Sequence, residues 1–217
     1  MSQPFLNQAL ERLRTAEGRS AVSLLREVVF RAGETWLGDG PTAQELWFPE
    51  QGLLVLEQQV GAYPVEVALM GAQAGFVMPT QSDLRVRALF DGRAYALPHT
   101  QALSVCPDLL LASQQELIRQ MSRWACCTQY HALPQRLACR LLLMQQSCPE
   151  RTVSLAMHDL PGARLVLPAQ LQRAVQDLAR TGAVSLRGQQ VWVQDAQALE
   201  RQACACHTEE PECGELP

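Results

Sequence analysis

The chain has 217 residues, which suits two small domains with enough length for a core in each. Hydrophobic residues make up 47% and charged residues 18%, an ordinary globular mix, and the net charge is −4. No apolar run is long enough to cross a bilayer and the start, MSQPFLNQALERLRT, lacks a signal-peptide layout, so a cytoplasmic protein without a membrane partner is expected.

Residues 4–14 read as a short amphipathic helix with Phe5, Leu6, Ala9, Leu10 and Leu13 on one face. From Ser23 to Leu97 the pattern changes to short strands and turns. VEVALM at 65–70 sets Val65, Val67 and Leu69 against Glu66, Ala68 and Met70. LRVRAL at 84–89 places Leu84, Val86 and Ala88 inward and Arg85 and Arg87 outward, toward solvent. Gly33, Gly38, Gly40, Gly52, Gly61, Gly71, Gly75 and Gly92 punctuate this run at turn positions. Many short strands with regular glycines predict a β-sandwich or jelly roll.

The period turns helical again at Pro107. No Pro or Gly occurs between Asp108 and Leu133, and Leu110, Leu117, Met121, Trp124 and Thr128 fall close to heptad spacing, with Leu111, Ile118 and Ala125 beside them. So wide a stripe exceeds what one small domain covers, and Leu110, Leu117, Met121 and Trp124 are expected to form a dimerisation face. Pro134 ends this helix, and RLACRLLLMQQ begins the next. The expected division is 1–107 for the β domain, 108–133 for the central helix and 134–217 for the C-terminal domain with its acidic tail.

Val153 to Asp195 carries the clearest functional pattern. Pro168 opens a helix whose Leu171, Ala174, Val175 and Leu178 make one apolar face, and Gly182 ends it in a left-handed conformation. AVSL and VWV around the tip Arg187–Gly188–Gln189 predict a hairpin. Helix, helix and hairpin make a winged helix-turn-helix, which lays its second helix in the DNA major groove. Its first helix would span roughly Ser154 to Ala163, where Pro161 and Gly162 require it to be short, kinked or displaced. The charge is distributed to match: Pro134 to Ala203 holds eight Arg and five acidic residues, while the tail from Cys204 holds four Glu and no Arg. The chain contains no Lys, so its positive charge is guanidinium, suited to bidentate phosphate or guanine contacts.

Eight Cys in a cytoplasmic chain are expected to be reduced. Cys204, Cys206, His207 and Cys213 are four soft donors, but their spacing is that of no standard finger or ribbon, and no metal or other cofactor is assigned. Cys127 and His131 are i, i+4 neighbours able to share a ligand, and are read as helix packing at the domain junction. There is no phosphate loop with Lys and no Gly-x-Ser-x-Gly elbow, and nothing indicates an enzyme.

An α+β chain with a β-roll, a long central helix and a C-terminal winged helix resembles the Crp/Fnr superfamily of bacterial transcription regulators. The resemblance runs from about Leu24 to His207. ELWFPEQGLLVLEQQ at 45–59 looks like the family's strand, Phe-Pro, Gly, strand turn. CTQYHALPQRLACRLLL at 127–143 is similar to its helix-to-helix segment. LQRAVQDLARTGAVSLRGQQVWVQD looks like the recognition helix and wing, and ALERQACACH like the last helix. The resemblance implies a homodimer that binds double-stranded DNA and contacts RNA polymerase. Arg173 matches a base-contacting Arg of the family. Gln170 and Gln172 could add amide contacts to bases, while Arg187 and Gly188 at the wing tip would meet the DNA backbone.

Two departures qualify what is implied. The stretch MGAQAGFVMPTQSDLRVRA lacks the Gly-Glu pair of the cyclic-nucleotide cassette, and Ser82 stands where the phosphate Arg would be, so cyclic-nucleotide binding is not expected. The recognition helix starts with Pro168 and Ala169, and Leu165 replaces the turn Gly. The alternative reading is therefore a protein-interaction or regulatory module derived from this family, without DNA binding.

Overall fold

The computed structural model describes residues 5–13, 22–148 and 152–207. It divides into two compact units, Met1–Met121 and Ser122–Pro217.

The first unit is built on an antiparallel six-stranded sheet: β1 (Arg26–Phe30), β2 (Thr35–Leu37), β3 (Glu45–Val60), β4 (Tyr63–Met70), β5 (Phe76–Val77) and β6 (Leu84–Pro98). The central path runs β1-β6-β3-β4, with β2 on β6 and β5 on β3. The pairing of β3 with β6 slips at Pro49–Gln51 and again around Leu53, which bends both long strands. Two glycines permit the bend. A Cβ on Gly52, whose φ is 80°, would come within 2.7 Å of the Asp91 carbonyl oxygen, and one on Gly92 within 2.0 Å of that of Gln51. These two glycines thus sit inside strands rather than at turns, because the backbones cross too closely for a side chain.

Phe30, Trp47, Leu54, Met78, Val86 and Ala88 fill the interior, with Leu84 against them. Val86 and Ala88 thus face inward as the alternation predicts. On β4 the inward residues are Ala68 and Met70, with Val67 only partly covered, since a slip at Leu56/Glu57 shifts the face. Arg85 and Arg87 do not simply face solvent. Arg85 Nε and Arg87 Nη2 lie 2.7 and 2.8 Å from the two oxygens of the buried Glu57 carboxylate on β3.

The N-terminal helix is shorter than its apolar pattern. α1 (Gln8–Arg12) starts at Asn7, whose side-chain oxygen accepts from the amides of Ala9 and Leu10. Ala9, Leu10 and Leu13 are buried, whereas Leu6 is exposed. After the sheet come α2 (His99–Val105) and α3 (Pro107–Tyr130).

The second unit holds the end of α3, then α4 (Leu133–Ser147), β7 (Ser154–Ala156), α5 (Pro168–Arg180), β8 (Val184–Arg187), β9 (Gln190–Val193) and α6 (Ala196–Gln202). β9 lies between β7 and β8 in a small antiparallel sheet. The core combines Leu137, Leu141 and Met144 of α4 with Leu171, Ala174, Val175 and Leu178 of α5 and with Val191 and Leu199. All four apolar positions predicted for α5 are buried. Thr181 caps the helix and Gly182 follows at φ 77°, the left-handed residue expected there.

Candidate nucleic-acid interface and thiol cluster

α5 presents one buried and one open face. Pro168 occupies its first turn, where a missing N–H costs nothing. Gln172, Arg173 and Gln176 are exposed, as is Gln170. The Gln170 side-chain oxygen already accepts from the Leu167 amide at 3.2 Å, which leaves its NH₂ and one lone pair of that oxygen to read a base. Arg173 makes no ion pair among the described residues, whereas Arg180 pairs with Asp177. The hairpin beside α5 turns in two residues, since Arg187 pairs with Gln190 and Gly188 has φ 62°. Arg187 is exposed, its guanidinium 5.5 Å from the centre of the Trp192 ring.

Between β7 and α5 there is no α-helix. Two 3-10 turns, Met157–Asp159 and Ala163–Leu165, stand where the first helix of a helix-turn-helix is expected. Leu160 is extended before Pro161, and Gly162 is left-handed at φ 74°. The pair thus interrupts the helix between two single turns.

On α3 the four residues expected to form a dimerisation face divide between buried and open positions. Leu110 is 4% exposed and belongs to the first unit's core with Leu46, Phe48 and Leu97. Leu117 packs on the sheet interior. Trp124 is 7% exposed, with the Arg140 guanidinium 3.9 Å from its ring centre. Only Met121 of the four is exposed, at 39%; Leu111 at 55% and Ile118 at 64% are more open still. The wide stripe holds two faces, and burial of one by the chain's own core leaves the other open.

A second constellation joins residues far apart in sequence. Cys127 and His131 lie at the end of α3, Cys139 on α4, and Cys204 and Cys206 around a 3-10 turn, Ala205–His207, after α6. The Sγ atoms of Cys127 and Cys204 are 3.5 Å apart, and Cys206 Sγ lies 3.7 Å from His131 Nδ1. The donor atoms of Cys127, His131, Cys204 and Cys206 all lie within 4.8 Å of one another. Cys127, Cys139 and Cys204 are buried together, with Leu143 and Ala203 against them. Hydrogen bonds from the Cys127 and Cys139 thiols hold Cys204 far below the range of a free thiol. Cys139 is pushed up because its S–H serves Cys127 and Cys204, and burial raises Cys206. The described cysteines are free thiols.

Of the tail donors, Cys204 and Cys206 join this cluster. His207 does not, since its Nδ1 lies 2.7 Å from the Cys204 carbonyl oxygen. Cys213 lies outside the described residues. Cys139 carried no signal of its own in the sequence. The Cys-x₃-His and Cys-x-Cys pairs did, and each offers two donors on one side of a short element.

With its bent antiparallel roll, its long helix and its unit of helices on a three-stranded sheet, the chain has the fold of solved transcriptional regulators of the Crp and Crp/Fnr families. The chain is similar to a Crp-family transcriptional regulator of Thermus thermophilus, with a TM-score of 0.65 at 16% identity over 81% of this chain and 95% of that one. It is also similar to a Crp/Fnr-family regulator of the same organism, with a TM-score of 0.57 at 22% identity over 82% of this chain and 97% of that one. FixK2 of Bradyrhizobium japonicum gives a TM-score of 0.61 at 17% identity over 83% and 98% of the two chains. No family model and no curated protein matches the sequence. Among the described residues no helix is long and apolar enough to cross a membrane.

Proposed function

We propose that the chain is a cytoplasmic homodimeric transcription regulator of the Crp/Fnr type that binds double-stranded DNA through α5 and the β8–β9 hairpin. The observation that carries this reading is the open face of α5. Gln172, Arg173 and Gln176 project from a helix whose opposite face is locked into a core, beside a hairpin that ends in Arg187 and Gly188. A rigid helix with amide and guanidinium groups near its N-terminus suits a major groove, and a wing with an Arg and a bare backbone amide suits a phosphate. Dimerisation is assigned to the outward side of α3, at Leu111, Ile118 and Met121, and a twofold dimer supplies two α5 helices for two half-sites.

One observation favours a second reading. The first helix of the helix-turn-helix, which crosses the DNA backbone in this motif, is replaced by two 3-10 turns. A protein-interaction module built on the same fold would not need that helix.

Selection from a pool of genomic fragments, at low and at moderate salt, separates the two. A DNA reader enriches inverted repeats whose half-sites are about 10 base pairs apart, centre to centre. Failure to retain any fragment even at low salt would favour the interaction module.

A further inference from the structure

We propose that Cys127, His131, Cys204 and Cys206 form a closed binding site for one tetrahedral divalent metal ion, zinc, held by three thiolates and one imidazole. This site is independent of the DNA reading, since none of its ligands lies on α5 or on the hairpin.

The spacing of the donors is the first argument. Bonds of about 2.3 Å to sulfur and 2.0–2.1 Å to nitrogen place the corners of a tetrahedron about 3.4–3.8 Å apart. Cys127 Sγ and Cys204 Sγ are 3.5 Å apart, Cys206 Sγ and His131 Nδ1 are 3.7 Å apart, and none of the four is further than 4.8 Å from another. Four donors therefore already stand at the edges of a single ion's coordination sphere. An iron–sulfur cluster interposes several iron and sulfide atoms between its thiolates and needs a wider cage.

Local structure is the second argument. Cys127 and His131 are one helical turn apart, with the His131 amide donating to the Cys127 carbonyl at 3.2 Å. Cys204 and Cys206 flank one residue of a 3-10 turn, and that turn contacts α4. Each pair is a preformed chelate on a regular element. Cys139 supports the ligands without joining them: it is buried against Cys127 and Cys204 and walls them off from water.

The chemistry of the set is the third. Packing alone would be served by Leu or Val at these positions, as in the rest of this unit's core. A partly exposed imidazole aimed at a thiol, beside two buried thiols, adds nothing to packing and supplies the soft donors that zinc takes in structural sites. As the Zn–S bonds form, any proton still held by a ligating thiol passes to solvent. With four protein donors no position stays open for substrate, so the ion ties the end of α3 to the turn after α6.

The test uses the full chain, purified under reducing conditions without chelator. Elemental analysis should find one zinc per chain. Replacement by cobalt should give the intense visible bands of a tetrahedral ion and thiolate-to-cobalt charge transfer in the near ultraviolet. Cys206→Ser and His131→Ala, both at partly exposed positions, should each weaken zinc retention and alter the cobalt spectrum, whereas Cys148→Ser, a buried thiol outside the cluster, should change neither. Three results would overturn the assignment: only trace metal with no saturable uptake of zinc or cobalt by the reduced chain, uptake unaffected by both ligand variants, or a Cys127–Cys204 disulfide in chain prepared without oxygen.

Discussion

Arg173 and Arg187 differ in what surrounds them, and that difference predicts different phenotypes. Arg173 stands on the helix between buried Leu171 and Ala174, without an ion-pair partner among the described residues. It projects toward base edges if α5 lies in the groove. Arg173→Ala should then cost about 1–3 kcal/mol of binding and relax preference at one base pair. Arg187 sits on the hairpin tip over Trp192. Arg187→Ala should weaken every sequence alike and lower the salt slope by about one. Titrations on one selected site and one unrelated duplex, at two salt concentrations, distinguish these outcomes. If neither variant alters binding while the fold is intact, α5 does not read DNA in this orientation. Glu57 makes a prediction for the first unit. Its carboxylate is buried and bridges Arg85 and Arg87, so Glu57→Ala leaves two half-buried cations facing each other. Breaking such a network from its buried side should cost about 2–3 kcal/mol, below the full cost of a wholly buried pair because the arginines keep some water. Urea unfolding measures it, and an unchanged midpoint would mean that the bridge contributes nothing net.

α3 is the element whose two faces differ most in burial. Leu110→Ala empties a filled core position and should destabilise the chain by about 2–5 kcal/mol without changing its oligomeric state. Ile118→Glu lies on the open side and should yield monomers in sedimentation while leaving the melting behaviour of the monomer intact. A dimer that survives Ile118→Glu would place the interface elsewhere. The same helix shows where reading the sequence stops. Its length and apolar spacing were legible, because 3.6-residue periodicity is a local property. Which apolar line turns inward was not, because a stripe wider than a heptad seam serves either a core or a partner, and only the position of the sheet decides. α5 had no such ambiguity: four apolar residues against a mostly polar opposite side leave one orientation. In the thiol cluster both donor pairs were visible as spacings. Their meeting depends on the path of the chain from residue 131 to residue 204, through α4, the small sheet and α6, which no local pattern encodes.

At the scale of the whole chain the fold is that of solved Crp- and Crp/Fnr-family regulators, and the first unit raises the question of whether it holds a ligand. Two features argue against a cyclic nucleotide. The roll interior is filled by apolar side chains, among them a run of aromatic rings with Trp36 and Trp47 centres 5.2 Å apart and Trp47 and Phe76 centres 6.4 Å apart. The arginines of β6 nearest to Ser82 are Arg85 and Arg87, and both are committed to the Glu57 carboxylate. A cyclic phosphate entering there would have to displace that carboxylate and leave it buried without its partners, which opposes binding. Millimolar cyclic AMP or cyclic GMP should therefore leave the melting temperature where it is. A ligand present at about 100 times its dissociation constant stabilises the folded state by about 2.7 kcal/mol, enough to move the midpoint by several degrees. A saturable upward shift with either nucleotide would show that the Glu57 bridge opens and that the roll still holds a phosphate site.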